Sequence, residues 1–552
     1  MATLETVMNA TLATPKPAVE ATSALFTLGS TTTTTLIAAV LGLAVLYLAR
    51  GNKAKGPLPP GPPPLPIIGN LLDVPKSRPW VKFAEWTEQY GPIFTLKMGR
   101  NTMLVIGRAQ PALDLLDKRS AIYSSRARLI MTSELVSRGL RMTFMPYGDL
   151  WRRERRLLHQ LTSPAAASSY EPIQEMESAQ FVRDMLAKPG DFWGHCQRYA
   201  GSTIMQIGFN KRAKTPQDPA ITKNVHRQMR AINEMMTKTA VAGRYLVDSL
   251  PILNYVPEFL APFKQEASAI FKETLSLFRS HVLDVKKNVE SGHDAHCFAK
   301  YILESQKSFG LTDDQAYFLG GALYGAGSDT TADGISTFIM TMCAFPDVQA
   351  KAQAELDRVV GRGRLPNFSD QPDLVYCGAV VREILRWRTV IAGGLAHAST
   401  EDDWYNGYFI PKGTIVLANH WAIHLDPEVY PEPEKFKPER FIDADGKLCG
   451  TKYAEAGHHA YGFGRRICPG KHIADRSLFI VFTRLLWSCT LRPGLDASTG
   501  TEIPMNVNAF SEGFSSHPLP FKCRIEPRGD WVKEAVDEAV AEGEEMWAAK
   551  QA

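Results

Sequence analysis

Hydrophobic positions recur with a helical period through most of this chain, and strand-like patterns are short. Pro79–Tyr90 is amphipathic and stops at Gly91-Pro92. Ile93–Met98 and Thr102–Ile106 read as a β-hairpin. Thr312-Asp313-Asp314-Gln315 has the form of a capping box, in which threonine caps and glutamine three residues on reaches back. The helix it opens can run to Phe345, where Pro346 breaks it. At over 30 residues it is long for a globular helix and must cross a whole domain. Further helices are expected over Pro346–Val360, stopped by Gly361, and over Leu374–Arg388. After about Asn406 short strands and turns alternate with proline-rich loop. The expected fold is mainly α with a minor β portion, a single large domain over residues 70–527 with neither repeats nor low complexity.

Both ends break this pattern. No charged residue lies between Glu20 and Arg50, and Leu36–Ala49 is almost purely aliphatic. A spanning helix needs roughly 20 mostly apolar residues, so 24–49 is expected to be a transmembrane anchor. Arg50, Lys53 and Lys55 follow at once, which places the rest of the chain on the cytosolic side and residues 1–23 in the lumen. A cleaved secretory signal fits less well, because the apolar run starts late and lacks a small-x-small cleavage site. The sequon at Asn9 would face the lumen; that at Asn367 should stay unmodified. Residues 50–69 are basic and then proline-rich, the composition of a stiff hinge. Residues 528–552 carry seven acidic and three basic residues, with Trp531, Ala535, Val536, Ala539, Val540 and Trp547 able to form one helix face.

Composition narrows the function. The 552 residues hold 62 Lys+Arg against 58 Asp+Glu, a net charge of +4, without the basic excess of a nucleic-acid binder. Eight cysteines, none in a CxxC pair, do not make a disulfide scaffold. One of them is a candidate ligand. In Tyr461-Gly462-Phe463-Gly464-Arg465-Arg466-Ile467-Cys468-Pro469-Gly470 a lone cysteine sits in a glycine-rich turn before a helical run from about His472. Backbone amides of such a turn, the helix N-terminus and Arg466 favour a thiolate. Glycines let the chain approach a flat cofactor. A thiolate held this way can ligate haem iron; the competing reading is a buried structural cysteine. The stretch is neither a dinucleotide fingerprint nor a P-loop. His420 and His424 have zincin spacing but Trp421 replaces the required glutamate, and His458-His459 lacks the other ligands of a zinc site, so all four read as structural.

The cysteine segment resembles the haem-binding loop of the cytochrome P-450 superfamily, FxxGxRxCxG, at Gly464, Arg466, Cys468 and Gly470; Tyr461 replaces the usual phenylalanine. Four more segments, in family order, are similar. Trp151–Arg155 resembles WxxxR, Ala326–Thr331 resembles AGxDTT, Glu383–Arg386 resembles ExxR, and Lys437–Phe441 resembles the PERF loop. Thr389 departs from the proline common after the ExxR helix. The likeness covers residues 57 to 527 and is nearest to anchored microsomal members, with stretches similar to fungal secondary-metabolism enzymes.

The resemblance implies a cytochrome P-450 fold and haem b. Cys468 would be the axial iron ligand, with Phe463, Gly464 and Gly470 against the cofactor. Trp151, Arg155, Arg466 and His397 would be its further contacts. Asp329 and Thr330 would supply the protons that cleavage of O₂ consumes, with Gly327 allowing a local break in the helix. Glu383, Arg386 and Arg440 would form a buried structural cluster. The substrate would be a lipophilic small molecule facing Leu129, Ile130, Leu319, Leu323, Val390, Ile391, Leu395, Phe510 and Phe514. Arg128, Glu134, Arg138 and Arg141 lie in the same region, solvated or orienting a polar group. NADPH-cytochrome P-450 reductase, and cytochrome b5 beside it, would bring electrons to a domain held on the cytosolic face of the endoplasmic reticulum membrane. Arg152, Arg153 and Arg156 are either simply solvated or part of that docking surface. A non-oxygenating haem-thiolate isomerase or dehydratase, and a haem-binding sensor without turnover, are the alternatives; the Asp329-Thr330 pair speaks against the first, and NADPH consumption separates the second.

Overall fold

The structure, a computed structural model, describes residues 55–215, 245–292 and 296–551, together with Gly42. The luminal tail and the anchor expected at 24–49 lie outside the described residues, save for Gly42. Among the described residues no helix is long and apolar enough to cross a membrane.

The helices used below are α1 (Pro79–Tyr90), α2 (Asp149–Thr162), α3 (Glu171–Ala187), α4 (Phe192–Phe209), α5 (Pro262–Glu290), α6 (Phe298–Ser305), α7 (Asp313–Ala344), α8 (Pro346–Val359), α9 (Val375–Trp387), α10 (Lys471–Ser488) and α11 (Trp531–Gln551). The capping box forms: the Thr312 hydroxyl accepts from the Gln315 amide, and the Gln315 side chain accepts from the Thr312 amide at 2.9 Å. From there α7 runs 32 residues through the interior. It packs against α4, α5 and α10, with Phe338 stacked on Phe482 of α10 at 3.9 Å between ring centroids. The largest apolar cluster joins α3, α4, α7, α8, α9 and α10, so the core lies around the C-terminal half of α7.

The β portion is small. Strands β1 (Ile93–Met98) and β2 (Asn101–Ile106) form the expected hairpin. The sheet then continues with residues three hundred positions away. β3 (His397–Ala398), β4 (Asp403–Tyr405), β5 (Tyr408–Ile410) and β6 (Ile415–Ala418) follow α9, and β6 pairs parallel with β2, giving the order β1-β2-β6-β3. β7 (Cys489–Pro493) and β8 (Cys523–Pro527) pair separately.

The proline-rich segment is not a free spacer in its described part. Pro60 accepts from the Thr95 amide at 2.8 Å, Pro57 accepts from Phe409 at 2.7 Å, and Pro62 is buried. Proline lacks a donor but keeps its carbonyl, so such a stretch can lie along a sheet edge as an acceptor. The acidic tail forms α11, which buries Val532, Ala535, Val536 and Val540 against α3.

Candidate active site

The glycine-rich turn is held from both sides. The Cys468 amide donates to the Tyr461 carbonyl at 2.8 Å and closes the loop. Gly464 takes φ +55°, and a Cβ there would lie 2.0 Å from the Leu116 carbonyl oxygen, so only glycine fits. Leu116 belongs to a π-helical turn, Leu113–Lys118, that supports the loop from beneath. Phe463 is buried against the ring of His459. Gly470 ends the turn, and α10 starts immediately after it. Cys468 is half-buried. Burial pushes its thiol up; the Gly470 amide and the charges of Arg155 and Lys471 pull it back toward the thiolate. The cations acting on the sulfur are therefore Arg155 and Lys471 and not Arg466, on which the sequence reading relied.

Tyr461 meets the need its hydroxyl creates. It donates to Oδ1 of Asp475 on α10 at 2.5 Å. Burial pushes the Asp475 carboxyl up to about 6, against this hydrogen bond and nearby cations.

Three guanidinium groups gather beside the loop. Arg155 on α2 donates to the Ile467 carbonyl at 2.7 Å, one residue before the cysteine. Arg466 donates to the carbonyls of Ser124, Met142 and Met145 and stacks on Trp151 at 4.2 Å. Arg126 donates to Thr143, Leu395 and Ala396. His397, buried on β3, gives its Nδ1 proton to the Tyr123 carbonyl at 2.8 Å, which leaves Nε2 as the free ring nitrogen. Burial, with the charges of Arg126 and Arg466, pushes its pKa down to about 3. Arg126 and Arg155 likewise push Arg466 down, after burial. None of the three arginines makes an ion pair among the described residues. A group of half-buried cations without an ion-pair partner is costly unless an anion joins it, and two carboxylates on a flat ring fit this donor set. Sequence reading missed Arg126. Its signal was weak, an arginine in the loop Tyr123–Arg128 whose partners lie some 270 positions away.

The AGxDTT segment lies midway along α7. The helix is uninterrupted here, which corrects the expected break at Gly327. That glycine instead allows close packing: a Cβ would lie 3.0 Å from the Ile204 side chain on α4. Ala326 is exposed although residues 316–321 and 332–343 of the same helix are buried, so the protein's own side chains leave this face uncovered. The Thr330 hydroxyl donates to the Ala326 carbonyl at 2.7 Å, leaving its oxygen as an acceptor. Burial raises Tyr324 and Asp333, and the Asp329 charge adds to the rise of each. Leu129, Leu140, Phe144, Leu323, Leu395 and Phe514 form one apolar cluster from four chain segments near this face.

On α9, Arg386 donates to both oxygens of Glu383, at 2.7 and 2.8 Å, and Arg440 adds a bond at 3.1 Å. The Lys437 amide also donates to Glu383 at 2.8 Å. Arg386 continues to the carbonyls of His424 and Pro433, so the cluster ties α9 to two loops. It holds the scaffold.

A half-buried cysteine in a glycine turn, a cationic cradle without ion-pair partners and an acid–alcohol pair on a central helix are the arrangement of a haem-thiolate oxidising enzyme. The family model described as cytochrome P-450 matches residues 59–524, and the chain belongs to that family. It is similar to cytochrome P-450 monooxygenase 58 of Postia placenta, 38% identical over 90% of this chain and 94% of the relative. It is 38% identical to a cytochrome P-450 monooxygenase of Armillaria gallica, over 89% of this chain and 95% of that one. With cytochrome P-450 monooxygenase virE of Hypocrea virens it shares 37% identity, over 89% of each chain. The enzyme is accordingly a monooxygenase, α11 lying beyond the family match.

Proposed function

We propose that this chain carries haem b on Cys468 and hydroxylates or epoxidises a lipophilic small molecule at the endoplasmic reticulum membrane. Its electrons come from NADPH through NADPH-cytochrome P-450 reductase, with cytochrome b5 as the second donor to test. The observation that carries the reading is the acid-free cluster of Arg126, Arg155, Arg466 and His397 around the Cys468 turn. Haem, when bound, supplies the redox chemistry that activates O₂.

The protein's own groups do the rest. Cys468 would hold the haem iron, and the Arg155 charge and Gly470 amide favour its thiolate against the effect of burial. Arg126, Arg155, Arg466 and Trp151 would take the two propionates, and His397 would join them once a propionate charge holds its Nε2 protonated. Asp329 brings protons in from solvent, and Thr330, whose own proton is used on Ala326, accepts a hydrogen bond in the oxygen site. The apolar cluster keeps bulk water away and selects a lipophilic substrate.

The neutral run at 21–49 supports membrane attachment. So do Leu246, Ile252, Tyr255, Phe259 and Leu260, all exposed within one short stretch. The relatives are monooxygenases of fungi; a place in fungal secondary metabolism, with terpenoid, polyketide or indole-type compounds as substrates, rests on the resemblance of the chain's own stretches to such enzymes. The test is NADPH oxidation and product formation by the full chain with reductase, screened against those three classes. An oxygenated product whose new oxygen comes from O₂ is expected. No NADPH consumption with any of them would contradict the proposal.

A further inference from the structure

Four ionisable side chains stand in the stretch that borders the apolar pocket, and the structure treats them differently. Arg128 is exposed and donates to Glu134 at 2.5 and 3.1 Å, so the two satisfy each other. Arg138 stacks on the ring of Phe271 at 4.2 Å. Arg141 does neither. It is 9% exposed, and among the described residues its guanidinium has no hydrogen bond, ion pair or ring contact. Its nitrogens are not sealed off and keep some accessible surface. Its chain neighbours Leu140 and Phe144 belong to the cluster that includes Leu129, Leu323, Leu395 and Phe514. A buried, unpaired guanidinium beside an apolar pocket is costly, and an anion brought by a ligand relieves that cost.

The propionate cradle does not use this group. The charges acting on Arg466 are Arg126 and Arg155, and those acting on His397 are Arg126, Arg466 and His420; Arg141 is among neither. Burial lowers Arg141 to about 10, which leaves it cationic at neutral pH. We propose that Arg141 is a substrate-recognition residue and that the substrate class is an apolar molecule bearing a carboxylate, bound head-first to this guanidinium. This rests on the monooxygenase pocket proposed above and names what it accepts. Two N–H donors in a fork match a carboxylate, and the hydrocarbon body fills the Leu129–Phe514 cluster.

The test is optical titration of the full-length holoprotein with dodecanoic, abietic and indole-3-acetic acids and with their methyl esters, following the haem Soret band. At least one acid is expected to bind about tenfold or more tighter than its ester, the scale of one charge-assisted hydrogen-bonded pair. Arg141→Leu should abolish that preference and Arg141→Lys should keep part of it, both with wild-type haem content and carbon-monoxide spectrum. Equal binding of acids and esters, no response to any acid, or an unchanged preference in Arg141→Leu would overturn the proposal. So would loss of haem from Arg141→Leu, which would assign the guanidinium to a propionate. A wild type without the thiolate spectrum would instead defeat the haem-thiolate reading, whatever the acids do.

Discussion

Tyr461 stands where the family has phenylalanine, and its hydroxyl is the sole side-chain donor found on the buried Asp475 carboxylate among the described residues. Tyr461→Phe removes that donor and leaves a buried carboxylate unsatisfied. The expected cost is about 1–3 kcal/mol of stability, read as a lower thermal midpoint of the holoprotein. Tyr461→Phe with Asp475→Asn should recover part of it. The Thr330 hydroxyl gives its proton to the Ala326 carbonyl, and under the proposed function its oxygen is the acceptor in the oxygen site. Thr330→Ala should therefore lower product per NADPH and raise hydrogen peroxide release while haem content stays unchanged, and product and peroxide assays on one sample check both. Cys468 and its glycines were legible because the turn's chemistry is local. Arg126 and Asp475 were not, because their partners come from residues remote in the chain or on another element.

Among the elements, α9 depends most on a polar cluster. Glu383 receives both arginines and a backbone amide at a fully buried site, so Glu383→Ala strands two guanidinium groups. Breaking such a pair costs about 3–5 kcal/mol. The variant is expected to fold poorly or lose haem, which expression yield and the Soret absorbance of purified protein measure. α11 is the other instructive element. Glu544 pairs with Arg212 and Lys214, each at 2.8 Å, and Arg212 also reaches buried Glu177 on α3. Removing residues 528–552 uncovers Val532's site on α3 and leaves Arg212 with Glu177 as its one carboxylate partner among the described residues, so the truncated enzyme should melt at lower temperature without losing the thiolate spectrum. The amphipathic face of α11 was readable from its spacing. The ion network beneath it was not, since it joins residues 177, 212 and 544. The π-helical turn under Gly464 was equally hidden, because no sequence pattern marks a π-turn.

At the scale of the whole molecule, four buried histidines, His420, His424, His458 and His459, crowd behind the cysteine loop. Burial lowers all four, His420 and His459 to about 4 and His458 to about 3, from an ordinary value of 6.5. Each is neutral when folded and can take a proton when unfolded. Their contribution to stability is complete above pH 6.5 and is lost as pH falls from there toward 4. Thermal midpoints measured from pH 7.5 to 4.5 should therefore fall steadily below about 6.5, and His459→Phe, which keeps the stack on Phe463, should flatten that fall. The long central helix, the hairpin and the mainly helical class were legible because helix period, capping box and proline breaks are local signals. The sheet order was not, because β2 and β6 meet only after the chain has built the whole helical body between them.

All these scales meet at the Cys468 sulfur. Its role is tested most directly by the carbon-monoxide difference spectrum of the dithionite-reduced full chain, wild type beside Cys468→Ser. A strongly red-shifted Soret band in the wild type, lost in the variant, is the predicted result. Well-expressed, haem-replete wild type without that band, or a variant that keeps it, would contradict thiolate ligation by Cys468.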